Sequence, residues 1–407
     1  MRILLIGGSG FIGSHLVDVF LEKGHRVVVF DRIREKFRRP IPNVTFVHGE
    51  MGNRGALQDV LAKGVDGVIH LASHSLPQSS NDDPIFDVQT NLVETLAMLD
   101  LFVQYKVKKV IFASSGGTVY GIPKQLPITE EHPTDPICAY GIVKLAIEKY
   151  LHLYHRLFGL NWVALRLSNP YGIRQDPISV QGVIAVFAAR MLQQKPVVIW
   201  GIGDTTRDFI NVRDVADLFY KAMNSEANGV FNVGSGVGVS INALLAIMSS
   251  QLGVVPVIVR EPPRKVDVPA IVLDCERARK TFSWAPRVSL EEGIIEVGHH
   301  DADAPGGVLA DHVLAQEAIE EFADERDRLA GISQLPAHDH HQAEAEKQEE
   351  QRGDAVLKAD HLVVGGEDVF LPEAQLLVMS GLGGRDGVCC GLHGCLLHWP
   401  NQFPVRC

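Results

Sequence analysis

The sequence predicts an α/β chain whose first part is a doubly wound parallel sheet with helices on both faces, followed by a smaller C-terminal lobe. Three observations carry this. Short β-branched runs alternate with longer amphipathic stretches through residues 1–170, the order that a parallel sheet with crossover helices produces. A glycine-rich turn joins the first run to the first helix. Beyond about residue 170 the alternation loosens into short strands, proline-containing loops and a few helices.

The strand runs are RILLI (2–6), RVVVF (26–30), VTFV (44–47), GVIHL (67–71), KKVIFA (108–113) and WVALRL (162–167). In the helix expected from Phe11 to Lys23, Ile12, Leu16, Val19, Phe20 and Lys23 follow a 3.6-residue period. His15, Asp18 and Glu22 fall off that apolar face, and Gly24 is a usual stop. Further helices are expected near 180–194, 212–224 and 240–252, and SLEEGIIEV begins another that is expected to break at Gly298. Domains are therefore drawn at 1–170, at 171–298 with segments interleaved with the first, and at 299–407 as an atypical, poorly ordered tail.

The 407 residues are 46% hydrophobic, enough for a large core. Their net charge of -11 is misleading. Residues 299–407 hold 20 acidic against 7 basic groups, and the first 298 carry 29 acidic and 31 basic, a balance of +2. A near-neutral body gives no sign of a general nucleic-acid or membrane surface. No run approaches the ~18 apolar residues of a membrane span, and the opening residues lack a secretory cleavage pattern. A cytoplasmic location is the expectation, and it suits a body with only Cys138 and Cys275. The tail holds 9 of the 17 histidines and 4 of the 6 cysteines. Its adjacent cysteines lack a second spaced pair, so no metal site is expected.

IGGSGFIG places Gly7, Gly10 and Gly13 between strand and helix. Glycines there allow a tight turn and close approach of a pyrophosphate to the helix N-terminus. Asp31 follows 18 residues after Gly13, where a carboxylate can bind a ribose diol. A nicotinamide dinucleotide is implied. The Asp31 charge repels a 2'-phosphate and favours NAD, while adjacent Arg32 leaves NADP open.

CAYGIVKLAIEKYL carries Tyr140 and Lys144 four residues apart, on one face of a helix. An unperturbed phenol has a pKa of about 10 and becomes a base near neutrality only beside positive charge, which Lys144 and an oxidised nicotinamide supply. Tyr-x-x-x-Lys after a GGSGFIG turn resembles the extended short-chain dehydrogenase/reductase superfamily, in its NAD-dependent epimerase/dehydratase branch typified by UDP-glucose 4-epimerase. The similarity runs from Met1 to about Val297 and implies a Rossmann-type sheet with a substrate-binding lobe.

The resemblance implies that Tyr140 is the base and that Lys144 also holds the nicotinamide ribose. It implies that Phe11, Ile12, Glu50, Met51, Leu71, Ala72 and Ser73 line the cofactor. It places Asn169, Arg207, Arg264 and Asp267 on a nucleotide diphosphate sugar, and Ile271 where the sugar's C2 substituent is limited. It further implies a homodimer through helices near 84–105 and 138–158, the second offering Tyr150, Leu151, Leu153, Tyr154 and Leu157. In SSGGTVYG, Gly116 stands where the family has a Ser or Thr that shares the 4-hydroxyl with the tyrosine, so Thr118, Ser115 or a water takes that part, with Thr118 favoured over Ser115. His70 is expected to be a satisfied core residue.

A 4,6-dehydratase needs an acid and a base where this chain has Gly117 and Thr118, which disfavours dehydration. The expectation is a nucleotide-sugar 4-epimerase. A 4-keto reductase and a non-catalytic NAD-binding protein remain as alternatives.

Overall fold

The computed structural model describes residues 1–303 apart from 39, 180 and 265–267, with 301–303 as backbone alone. Asp267 and the tail from residue 304 onward, with its histidines and four cysteines, lie outside the described residues.

All six predicted strands form: β1 (Arg2–Ile6), β2 (Arg26–Asp31), β3 (Val44–His48), β4 (Gly67–His70), β5 (Lys109–Ser115) and β6 (Asn161–Leu167). After them come β7 (Asn169–Tyr171), β8 (Val197–Trp200), β9 (Thr206–Asn211) and β10 (Gly229–Val233). Last are β11 (Gly238–Ser240), β12 (Ile258–Glu261) and β13 (Ala270–Ile271). The main sheet has seven strands in the order β10-β6-β5-β4-β1-β2-β3, every pair parallel. The order reverses beside β1, so the C-terminal ends of β1 and β4 flank a crevice of the kind that binds ligands in doubly wound sheets.

β1 shows why the strand runs read as unbroken apolar stretches. Its Ile3 and Leu5 face one core with Leu16 and Phe20 of α1 (Phe11–Glu22) and Phe219 of α8 (Val212–Met223). Leu4 and Ile6 face a second core with Leu57 of α2 (Arg54–Leu61) and Phe102 of α5 (Glu94–Gln104). Both faces are covered, so alternation with polar residues is lost. α1 ends one residue earlier than predicted, and Gly24 adopts φ +76° beyond it.

Between β4 and α5 lie α3 (Ser79–Asp82), α4 (Pro84–Asp87) and a π-helical turn at Val88–Val93. α6 (Ala139–Phe158) spans 20 residues, about 30 Å, and stops at Gly159 with φ +71°. The smaller sheet is built on β9, which pairs in parallel with β7 and β13 and antiparallel with β11; β8 and β12 pair separately. α7 (Val183–Leu192), α9 (Ile241–Leu252) and α11 (Leu290–Asp303) gather Phe187, Leu244 and Ile294 into a third core, while α10 (Glu276–Phe282) joins the first through Ala278.

Two expectations are corrected. The last helix does not break at Gly298 but continues to Asp303. Gly298 packs against α9, where a Cβ would lie 2.3 Å from Leu252 Cδ2. His15, expected off the apolar face, is 6% exposed, its Nε2 is 3.0 Å from Ile173 O, and it meets Phe11 edge-on. Burial lowers its pKa to about 4, so it is a neutral ring filling an interface.

Candidate active site

At three positions of the glycine-rich turn, Gly7, Gly8 and Gly13, a Cβ would come within 3.0 Å of a neighbouring atom. A Cβ on Gly7, which has φ +79°, would lie 2.7 Å from the Ala72 nitrogen; on Gly13 it would lie 2.5 Å from Gly8 O. Gly10 is exposed, and a Cβ there would meet nothing closer than 3.7 Å. It precedes α1, whose N-terminus has no side-chain cap and no acidic residue in its first turn. The first N–H groups of a helix lack intrahelical partners and favour an anion. Asp31 closes the other side, with Oδ2 accepting the Ser9 N–H at 2.9 Å and Oδ1 the Ile33 N–H at 3.2 Å. This cradle fits a dinucleotide: backbone approach is open at Gly10, and a carboxylate stands beside it.

α6 presents Tyr140, Lys144 and Glu148 on successive turns of one face. Lys144 is 5% exposed; its Nζ donates to Ala113 O at 3.0 Å and lies 5.3 Å from the Tyr140 ring centre and 4.7 Å from that of Phe112. Burial pulls its ammonium down to about 8, against the opposing pull of Asp87 and Glu148. Burial pushes the Tyr140 phenol well above its ordinary value, and Cys138 and Asp87 add to this. The phenol is therefore protonated until positive charge arrives beside it.

Glu148 anchors the floor. Its Oε1 accepts Ser114 Oγ at 2.6 Å and Arg166 Nε at 3.0 Å, and its Oε2 accepts Arg166 Nη2 at 2.6 Å. The Arg166 guanidinium lies 4.8 Å from the Tyr120 ring centre, and Tyr120 OH donates to Asn232 Oδ1 at 2.6 Å. All five residues are buried.

A cavity of about 670 Å³ is lined by the ends of β5 and β6 of the main sheet and by β7, β8 and β9 of the smaller lobe. It brings together Phe11, Ile12, Leu71, Ser115, Thr118, Tyr140, Lys144, Asn169, Arg207 and Arg264 of the predicted residues. Asn169 Nδ2 donates to Asp208 O at 3.0 Å, Arg207 Nη1 to Thr206 O and Val268 O, both at 2.8 Å, and Arg264 stands over the Trp200 ring. Thr118 Oγ1 is buried with no hydrogen-bond partner. Gly116 faces away: a Cβ there would lie 2.5 Å from Leu273 Cδ1 and 3.0 Å from Arg166 O, which explains why no hydroxyl stands at that position.

Gly7, Gly10, Gly13, Asp31, Arg32, Glu50, Met51, Ala72 and Ser73 are outside this lining, in segments that leave the C-terminal ends of β1, β2, β3 and β4. Arg32, Glu50 and Ser73 are exposed. Met51 is 3% exposed in the core with Phe30 and Leu57, so its side chain serves the fold. Ile271 is corrected: it is 1% exposed in the core and does not line the cavity, so it cannot gauge a sugar substituent. His70 is buried, its Nε2 is 3.0 Å from Thr95 Oγ1, and burial lowers its pKa to about 3, as a satisfied core residue requires. Arg190 and Trp200 also line the cavity, and neither has a spacing to another site residue that would mark it in the sequence. Among the described residues no cluster of His, Cys, Asp and Glu could hold a metal, and no helix is long and apolar enough to cross a membrane.

A doubly wound sheet, an uncapped glycine turn and a Tyr–Lys pair opening on one cavity define a short-chain dehydrogenase/reductase of the extended type. Residues 3–234 match the NAD dependent epimerase/dehydratase family, and the chain belongs to that family. NAD is its cofactor. The chain is 37% identical over 302 residues to the UDP-glucose 4-epimerase of Mycolicibacterium smegmatis, covering 72% of this chain and 96% of that one. Among solved structures it is similar to the Thermotoga maritima UDP-glucose 4-epimerase with UDP-glucose (37% identity, TM-score 0.71, 74% of this chain and 98% of that one). It is also similar to the Thermus thermophilus UDP-glucose 4-epimerase complex with NAD (34%, 0.71, 75% and 100%).

Proposed function

We propose that the protein epimerises a nucleotide diphosphate sugar of the UDP-glucose/UDP-galactose type at C4, with Tyr140 as the base. The charge of the cavity carries this reading. Its described lining includes Lys144, Arg190, Arg207 and Arg264 but no carboxylate, imidazole or thiol. Guanidinium forks match diphosphate oxygens. Eliminating water needs an acid–base pair that this lining lacks, whereas oxidation and return at one carbon needs a single base.

Bound NAD supplies hydride exchange with the sugar carbon and, when oxidised, a positive charge beside Tyr140. The α1 N-terminus at Gly10 holds its pyrophosphate, with Phe11, Ile12 and Leu71 alongside. Asp31 takes the adenosine ribose with Arg32 next to it, and Glu50, Met51, Ala72 and Ser73 border the adenine side. Lys144 holds the nicotinamide ribose. Tyr140 removes the proton from the C4 hydroxyl and returns it. Thr118 shares that hydroxyl in preference to Ser115, because its Oγ1 is buried without a hydrogen-bond partner. Asn169, Arg207 and Arg264 hold the nucleotide diphosphate, and Asp267 its ribose. The test is UDP-galactose incubated with the holoenzyme and followed by NMR and by the near-ultraviolet absorbance of reduced nicotinamide. C4 inversion with no net change in absorbance is expected. Stoichiometric formation of reduced cofactor, with a 4-keto sugar left as product, would make the protein a 4-keto reductase running in reverse, and NAD binding without turnover of any nucleotide sugar would make it a binding protein.

We infer a homodimer through α4, the π-helical turn and α6. Ile85, Phe86 and Val93 are 71%, 47% and 47% exposed, beside Ile142, Leu153 and Leu157 of α6 at 55%, 42% and 62%. Such a cluster on two adjacent helices supports an interface. Leu151, first assigned to it, is 1% exposed and belongs to the core. Sedimentation should give a dimer at micromolar concentration, and Ile142→Asp with Leu157→Asp should halve the mass.

A further inference from the structure

The segment from Ser75 to Asp87 leaves β4, forms α3 and returns into α4 as a loop stitched shut at its base. Ser75 Oγ donates to Asp87 Oδ1 at 2.5 Å; Asn91 Nδ2 donates to that oxygen at 2.7 Å and to Ser75 Oγ at 3.0 Å. Asn91 Oδ1 accepts the His74 N–H at 2.8 Å. Ser75, Asp87 and Asn91 are all buried, so the base of the loop is rigid.

The tip of the loop serves another element. Ser80, 0% exposed, accepts the backbone N–H of Tyr140 at 3.0 Å and donates its hydroxyl to Pro77 O at 3.2 Å. Asn81 Oδ1 accepts the N–H of Ala139 at 2.9 Å. Helix N-caps ordinarily come from the residue before the helix. Here that residue, Cys138, makes no side-chain cap, and the cap comes from residues 60 and 58 positions earlier. Tyr140 is the second residue of α6, in the turn that loosens first when its donors go unmet. Pro77 also lines the cavity, so the same loop touches the cavity wall and the helix start.

The geometry points to Ser80 and Asn81 as positioning residues that fix where the Tyr140 hydroxyl stands over the sugar. This rests on Tyr140 being the base. Misplacement by about 1 Å can lower a rate by up to about 10²-fold, so loss of this cap should appear in kcat.

The experiment compares Ser80→Ala, Asn81→Ala and Asn81→Asp with Tyr140→Phe in the full-length holoenzyme, assayed with UDP-galactose. Asn81 is exposed, so its variants keep the fold even if Ser80→Ala does not. Ser80→Ala and Asn81→Ala should each lower kcat about tenfold or more while KM and the Kd for NAD stay at wild-type values. Asn81→Asp keeps the acceptor oxygen and should restore most of kcat. Asn53→Ala, which removes the side-chain cap of α2, should lose comparable thermal stability and keep kcat. If Asn81→Ala matches Asn53→Ala in both Tm and kcat while Tyr140→Phe is inactive, the positioning role alone is overturned. If Tyr140→Phe turns over at the wild-type rate, the base assignment falls and this proposal falls with it.

Discussion

Replacing Tyr140 by Phe should lower kcat about 10³-fold, within the roughly 10²- to 10⁴-fold that a positioned acid–base group contributes. The change removes one oxygen and keeps the ring over which Lys144 Nζ sits at 5.3 Å, so KM and the Kd for NAD should hardly move. The other ionisable groups in the described lining are Lys144, three arginines and Tyr171, whose hydroxyl donates to Ser289 O at 3.2 Å and whose phenol burial pushes well above its ordinary value. Lys144, already donating to Ala113 O, is not placed to take over, and an arginine is not a base at neutral pH. Steady-state kinetics with UDP-galactose, together with an NAD titration, make the check. Wild-type kcat in this variant would move the base to a group outside the described lining.

Replacing Glu148 by Ala should destabilise the protein by about 3 to 5 kcal/mol, the usual result of leaving one member of a buried ion pair alone. Glu148 and Arg166 are 2% and 4% exposed in side chain, and the two hydrogen bonds between them form a fork. Burial disfavours the Arg166 charge, and Glu148 more than offsets it. Without the carboxylate, the guanidinium keeps only the face of Tyr120, and Ser114 loses its acceptor. A Tm loss on the order of 10 °C is the readout. Converting the pair together, Glu148→Leu with Arg166→Met, should recover much of that loss, because the desolvation penalty disappears with both charges. A single variant with unchanged Tm would mean that solvent reaches the pair.

Much of the main sheet could be read from the residues, because strands buried on both faces leave unbroken runs such as RILLI and VIFAS. The seventh strand was harder. GVFNV is short and lies 62 residues beyond β6, so only the tertiary pairing of Val163 with Gly229 makes it part of that sheet. Gly298 misled because glycine within a helix reads as a stop, and what it accommodates, the side chain of Leu252, belongs to another helix. His15 and Leu151 misled in the same way, since periodicity identifies a face but not its cover. In the site, Tyr140 and Lys144 announced themselves by spacing and Gly7 and Gly13 by context. Ser80 and Asn81 carried no signal, because their partners lie some 60 positions away. Ile271 was misplaced because counting along the chain says nothing about which way a strand residue faces.

α6 carries chemistry and an apolar skin on the same rod. Tyr140, Lys144 and Glu148 look inward, while Ile142 and Leu157 look out. In the dimer inferred above, a second copy would press on the same rod that carries the phenol. A molecule that splits the dimer would then lower turnover without entering the nucleotide's space, and inhibition of that kind would be non-competitive.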